Sequence, residues 1–373
     1  MMTFILGLAV VLVIGILLMI FRVQSLIAVA RGTDNERGGT LNKINAALFP
    51  IFFIVGGFLA VYSSIEASHQ FLPEAASPHG RHTDFLFWLT MAIIGFVFVI
   101  THILLFYFPF KYQFSEKRRA SFYPENHKLE LVWTVIPAIV LAILVFTGWL
   151  AWVDITKEAP ADAVVVEVMA KQFGWQVRYP GADGKLGHYN FRLIDDPGGN
   201  IFGIDFADEK GLDDFINVQE MHLPKGKRVL FKIRARDVLH SVFAPHFRVK
   251  MDAVPGMPTH FSFIPDKSTA DMRAETGNPD FNYELACTEI CGRGHFAMKF
   301  RIVVDEPDDY ERWYAAQKPF LKETPAYLSQ VPANLKEKAL RIIGPVATPA
   351  PDSTAAGKAT AMNEIKVLTV NNK

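Results

Sequence analysis

Apolar residues are spread unevenly along the chain. Nearly all the long apolar runs fall in the first 153 residues, and beyond them short apolar stretches alternate with charge, glycine and proline. A helix needs about 20 predominantly apolar residues to cross a hydrocarbon core roughly 30 Å thick. Four stretches meet that length, approximately Met2 to Phe21, Ala46 to Ile65, Phe85 to Phe108 and Leu131 to Val153. The second contains Pro50, Gly56 and Gly57, which membrane helices tolerate where neighbours satisfy the backbone. The pattern then changes period. AVVVEVMA (163–170), RVLFKIRA (228–235), THFSFIP (259–265) and KFRIVV (299–304) are short and rich in β-branched and aromatic residues, with turn signals such as PGADG, DDPGGN and PKGK between them. They predict an all-β antiparallel sandwich or barrel. The stretch from His188 to Val218 reads poorly as regular structure and is expected to be a long surface insertion.

Basic residues in the short loops orient the helices. Arg22, Arg31, Arg37 and Lys43 follow the first segment, and Lys111, Lys117, Arg118, Arg119 and Lys128 follow the third, whereas the stretch from Glu66 to Asp84 has only Arg81. The bias puts the N-terminus and everything after Val153 outside the cytoplasm. It also favours a retained first helix over a cleaved signal peptide, since no Lys or Arg precedes Arg22. The expected organisation is two leading transmembrane helices (1–66), a transmembrane hairpin (67–155), an extracytoplasmic β domain (156–318) and a flexible tail (319–373). The tail is polar, with an Ala-, Pro- and Thr-rich stretch from Pro345 to Ala361; one amphipathic helix is expected near Asn334 to Ile343.

Composition narrows the function. The formal net charge is zero, and no basic stripe with interleaved aromatics supplies a local case for nucleic acid, so that class is set aside. The only cysteines are Cys287 and Cys291, which excludes both a disulfide-rich scaffold and a Cys-x-x-Cys-His haem attachment site. Any c-type haem belongs to a partner.

The chemistry is concentrated in CTEICGRGHFAM, residues 287–298, where His295 follows two thiols and Met298 follows His295. A second imidazole is available at His240, in RDVLHSVFAPHF. Thiolate and thioether favour copper, and imidazole suits it. A structural zinc site would use Cys287, Cys291 and two histidines and leave Met298 without a role. A mononuclear copper site of the Cys-His-His-Met kind would leave one thiolate unused. Two coppers bridged by both thiolates use the whole set, each taking one histidine, with Met298 and a backbone carbonyl between the cysteines as weak axial ligands. A Cys287–Cys291 disulfide stays open as the plain alternative for an extracytoplasmic domain.

The segment 287–298 resembles the copper loop of cytochrome c oxidase subunit II. RDVLHS followed by KMDAVPG (250–256) resembles the strand and turn carrying that family's first histidine ligand, and LELVWTVIPAIVL (129–141) resembles the start of its second membrane helix. The resemblance covers Phe85 to about Tyr314; the two leading helices and the tail lie outside it. It implies a cupredoxin-like Greek-key sandwich on a helical hairpin, in the cell inner (plasma) membrane with the copper domain on the outer, periplasmic side. It implies that His240 and Met298 serve one copper, His295 and the main-chain carbonyl of Glu289 the other, and that Cys287 and Cys291 bridge. The Glu289 carboxylate would reach a magnesium or manganese ion shared with subunit I, Asp252 would support that interface, and Glu130 would sit at the mouth of a proton channel. A c-type cytochrome would be the electron donor, with subunit I, further oxidase subunits and membrane lipid as the other partners. For electron input the family predicts an aromatic cluster at AKQFGWQVRYPG (170–181); here Phe173 stands where a tryptophan is usual and Gly174 replaces the following aromatic, leaving Trp175 and Tyr179.

Other features carry plainer expectations. His69, His79 and His82 are expected to be solvated loop residues, and His222 and His246 to be surface or packing residues. The acidic residues between Asp195 and Asp214 suggest either steering of a basic partner or a solvated loop. A quinol oxidase subunit would lack the soft-ligand set, a nitrous oxide reductase would lack the membrane helices, and a zinc- or copper-binding surface protein without electron transfer is separated by its spectrum.

Overall fold

In a computed structural model, residues 2–31 and 39–344 are described. Helices α1 (Met2–Ala30), α2 (Thr40–Glu66), α3 (Pro78–Lys111) and α4 (His127–Thr156) come first. Three of them are long and apolar enough to cross a membrane, over Asn42–Glu66, Pro78–Lys111 and His127–Thr156, and α1 contributes a shorter apolar helical stretch, Leu12–Ala28. The second leading helix is not independent of the hairpin. Phe49, Phe52 and Phe53 of α2 gather around Phe106 of α3, the closest ring pair being Phe53–Phe106 at 5.4 Å.

The chain divides into two compact units. One contains the described residues up to Pro73 together with Asp84–Gly148; the other contains Glu74–Thr83 and the described residues from Trp149 onward. The short segment 74–83 therefore belongs with the β domain. Ala76 N–H donates to His246 O at 2.8 Å, Asp266 N–H to Ala76 O at 3.1 Å, and Ser77 Oγ to Phe247 O at 3.0 Å. Lys267 and Glu74 add an ion pair at 3.1 Å. His79, expected to be a solvated loop residue, is instead partly covered in the first turn of α3, with its ring 5.5 Å from that of Phe261; His69 is exposed, and His82 is exposed but in α3 rather than in a loop.

The second unit holds ten strands: β1 (Val164–Lys171), β2 (Gly174–Tyr179), β3 (Phe215–Asn217), β4 (Glu220–Pro224), β5 (Val229–Ala235), β6 (His240–Ala244), β7 (Val249–Ala253), β8 (Thr259–Phe263), β9 (Tyr283–Cys287) and β10 (Lys299–Asp305). They form two five-stranded sheets, ordered β3-β2-β1-β5-β8 and β4-β10-β9-β6-β7. The sheets are mixed rather than purely antiparallel, because β1 pairs parallel with β5 and β10 parallel with β4. Parallel neighbours need a long crossover, which the predicted hairpin turns do not provide. The sandwich core takes side chains from both sheets, among them Val166, Val168, Val177, Phe231 and Phe263 from one and Leu223, Val242, Leu285 and Ile302 from the other.

Strand β1 is buried on both faces, as its nearly continuous apolar sequence requires. Its second face explains the region expected to be a surface insertion. Met169 joins Ile201, Phe202, Ile204, Phe206 and Leu212 in a second core, closed by Phe320, Leu321, Tyr327, Val331, Ala339 and Ile343. The stretch 188–218 is thus a packed layer over the sheet. The segment from 319, expected to be a flexible tail, instead folds as α7 (Phe320–Glu323) and α8 (Ala333–Ile343), preceded by α6 (Pro307–Ala316), with α5 (Thr269–Thr276) lying between β8 and β9. The amphipathic helix expected at Asn334 to Ile343 is α8; the rest of the tail, 345–373, lies outside the described residues.

The acids of the insertion are engaged in internal contacts. Asp195 accepts from Tyr327 Oη at 2.7 Å, Asp196 takes Arg236 through both oxygens, and Asp208 accepts from His188 N–H at 2.8 Å. Asp214 meets Arg178 at 2.9 Å within a buried group in which Glu167 also pairs with Arg178 and Arg234. Burial pushes the Asp214 carboxyl up, against the pull of Arg178 and the Gly187 N–H.

Candidate metal centre

Two loops bring the soft ligands together. His240 opens β6 and Cys287 closes β9, and because these strands pair with Val242 opposite Cys287, the sheet places the two side chains near one another. The loop 288–298 then leaves β9 and returns as β10, held at its neck by Cys287 N–H donating to Met298 O at 3.1 Å and anchored to β6 by Thr288 N–H donating to Ser241 O at 3.2 Å.

Five side chains converge inside this frame. Cys287 Sγ lies 3.8 Å from His240 Nδ1 and 3.9 Å from Cys291 Sγ. Cys291 Sγ lies 3.6 Å from His295 Nδ1 and 3.3 Å from Met298 Sδ. The main-chain carbonyl of Glu289 is 3.2 Å from Cys287 Sγ, while its carboxylate side chain is exposed. His240, Cys287, Cys291 and Met298 are all buried.

This arrangement sorts the alternatives. A disulfide requires sulfurs about 2.05 Å apart, and here both cysteines are free at 3.9 Å. A closed zinc site needs four ligands and no thioether, yet the Met298 sulfur is turned toward Cys291 in the core rather than packed away from it. Burial and the neighbouring Cys287 push the Cys291 thiol up to about 11, so holding the Cys291 sulfur as a thiolate at neutral pH calls for bound positive charge. The donor set fits two soft cations bridged by sulfur.

Two supporting residues escaped the sequence reading. Asp237 accepts from Gln172 N–H at 2.7 Å, from Val238 N–H at 2.8 Å and from His240 Nε2 at 2.9 Å. Burial works to raise the Asp237 carboxyl, but the hydrogen bonds from Gln172, His240 and Val238 outweigh it and hold it below the usual carboxylate range. Gln172 in turn donates its side-chain amide to the carbonyl of Cys291. An acid three residues before the histidine in RDVLH was the available signal for Asp237; nothing in the pattern marked Gln172.

The two aromatic candidates part company. Phe173 is 46% exposed, and its ring lies against the loop where Gly292 and Gly294 leave room for it. Trp175 is only 3% exposed; its indole N–H donates to Met298 O at 3.3 Å, and its ring stands 6.2 Å from that of His240. It underlies the ligand cluster and has no face to offer a docking protein. Glu130 is in the first turn of α4, 3.2 Å from His127 Nδ1, in the helical unit. His222 pairs with Asp305 at 2.6 Å and Glu220 at 3.0 Å and stacks on Trp313 at 4.2 Å, and His246 stands edge-on to Phe281 and Tyr283; both are packing residues.

Comparison with known proteins gives concordant matches. The family described as cytochrome c oxidase subunit II, transmembrane domain, matches residues 65–149, and the one described as cytochrome c oxidase subunit II, periplasmic domain, matches residues 164–306. The alternative cytochrome c oxidase subunit 2 of Bradyrhizobium diazoefficiens is 37% identical over 235 residues, 63% of this chain and 78% of that protein. Cytochrome c oxidase subunit 2 of Thermostichus vulcanus is 28% identical over 278 residues, 66% of this chain and 78% of that one. Among solved structures, the periplasmic domain of subunit II of cytochrome oxidase of Bradyrhizobium japonicum aligns with a TM-score of 0.29 and 24% identity, over 42% of this chain and 95% of that chain.

Proposed function

Because the chain belongs to the cytochrome c oxidase subunit II family, we propose that its outer domain accepts electrons at a binuclear copper centre held by His240, Cys287, Cys291, His295, Met298 and the Glu289 carbonyl. As a subunit of a cytochrome c oxidase, a membrane-anchored oxidoreductase with its β domain on the outer side, it passes electrons toward the oxygen-reducing haem subunit. The single observation that carries the copper assignment is the convergence of two free thiols, two imidazole Nδ1 atoms and a thioether in one cluster, buried except at the half-exposed His295.

Copper held by His240, Cys287, Cys291, His295 and Met298 would supply one-electron exchange there. The protein contributes rigidity. Strands β6, β9 and β10 hold both ends of the ligand loop through the sheet, so the donors are set before any electron arrives. The buried thioether and sulfurs exclude water from the inner side of the cluster.

The finer roles follow the family. Phe173, exposed beside the copper loop, is the electron-input aromatic facing a c-type cytochrome, and Trp175 backs the ligands from beneath. The exposed Glu289 carboxylate binds magnesium or manganese at the border with subunit I, and Glu130 receives protons at the cytoplasmic end of α4. The chain lies in the cell inner membrane. The deciding experiment is electron paramagnetic resonance of the assembled oxidase: hyperfine structure from two equivalent coppers, abolished by Cys287→Ser, is expected. A silent spectrum with a bound closed-shell ion, or a signal untouched by Cys287→Ser, would refute the assignment.

A further inference from the structure

We infer that Asp237 and Gln172 form a strap that positions the copper ligands, tying His240 on one loop to Cys291 on another. This rests on the copper reading above. The ligands come from two segments far apart in sequence, residue 240 and residues 287–298. A third segment, the turn between β1 and β2, touches both. The Gln172 main-chain N–H donates to Asp237 Oδ2 at 2.7 Å, and the amide of the same residue's side chain donates to the Cys291 carbonyl. Asp237 Oδ1 accepts from His240 Nε2 at 2.9 Å. One glutamine thus connects the carboxylate behind one ligand to the backbone of another.

The strap also decides which nitrogen of His240 faces the metal. The Asp237 oxygen takes up Nε2, which leaves Nδ1 as the ring nitrogen turned toward the sulfurs. Nδ1 is the atom lying 3.8 Å from Cys287 Sγ. A carboxylate on the distal N–H raises the basicity of a ligating imidazole and fixes the ring's orientation. Phe173, next in sequence after Gln172, presses its ring onto Gly292 and Gly294, where any β-carbon would collide with it. The turn therefore holds the copper loop by a hydrogen bond and by packing. With three donors already on its two oxygens, Asp237 acts through His240 as a positioning residue and is not a free charge for docking.

The test uses the full-length chain in the assembled oxidase, with Asp237→Asn and Gln172→Glu made separately. Asp237→Asn keeps the shape and removes the anion; Gln172→Glu keeps the shape and removes the donor. Asp237→Asn is expected to favour the reduced centre at least threefold, raising the potential by about 30 mV at 59 mV per tenfold for one electron. It is also expected to lose copper to a chelator about tenfold faster or more. Gln172→Glu is expected to make the two coppers inequivalent in the hyperfine pattern. Wild-type potential, retention and spectrum in both variants would overturn the strap and leave the copper assignment standing. Absence of a two-copper spectrum in the unsubstituted protein would instead remove the reading beneath it. If Asp237→Asn does not assemble, Gln172→Glu decides by the same spectrum.

Discussion

Replacing Phe320 with alanine separates the two cores of the outer domain. Phe320 is 6% exposed, lies nearly parallel to Phe206 with ring centroids 6.3 Å apart, and tilts against Tyr327 at 5.7 Å. Truncating a phenylalanine packed this way costs about 3–5 kcal/mol, because the lost contacts leave a cavity its neighbours only partly fill. The cost falls on the second core, whereas Cys287, Cys291 and Met298 belong to the first. At about 1.4 kcal/mol per tenfold, the locally opened population of the insertion and its closing helices rises roughly a hundredfold to a few thousandfold. Limited proteolysis and hydrogen exchange over residues 195–212 of the intact protein read that opening, and the copper resonance signal reads the site. Fast cleavage with an unchanged signal is expected. Unchanged protection, or a signal lost together with protection, would show that the insertion is not a separately packed layer.

Three further outcomes are expected. Arg178→Leu leaves Glu167 and Asp214 buried without their shared guanidinium and should destabilise the domain by about 3 kcal/mol or more, measured by denaturant unfolding. His222 is held protonated by Asp305 and Glu220 despite its burial, so its folded pKa lies above the ordinary 6.5. That contribution is complete below pH 6.5 and fades as pH rises through the folded value, so the melting temperature should fall more steeply over that window in the native protein than in His222→Gln, where the raised Asp214 carboxyl still titrates. Glu130→Gln should slow oxygen consumption several-fold while copper content stays constant; unchanged turnover would remove its proton role.

Much of the fold was legible because its signals are local. Membrane helices need length and apolarity, both visible in the runs that became α2, α3 and α4. Strands β1, β5, β8 and β10 were readable from β-branched and aromatic runs, but β3, β4, β6 and β7 were not, since short strands without a sustained run of that kind draw their pairing from distant partners. The insertion misled for a similar reason. Its aspartates look solvated until Tyr327, Arg236 and Arg178 are seen to meet them, and those partners lie 36 to 132 residues away in sequence or, for Arg236, 40.

The amino-acid order alone determined the ligand types and their spacing in CTEICGRGHFAM, and with them the preference for a soft metal, because donor chemistry belongs to each side chain wherever it is placed. Tertiary structure decided the rest. Only pairing of β6 with β9 brings His240 to Cys287, only the 3.9 Å sulfur separation sets the disulfide aside, and only the turn carrying Gln172 links Asp237 to the copper loop. Apart from the sulfur pair, those contacts join residues 47 to 119 positions apart, and no local pattern encodes which distant backbone a side chain will meet.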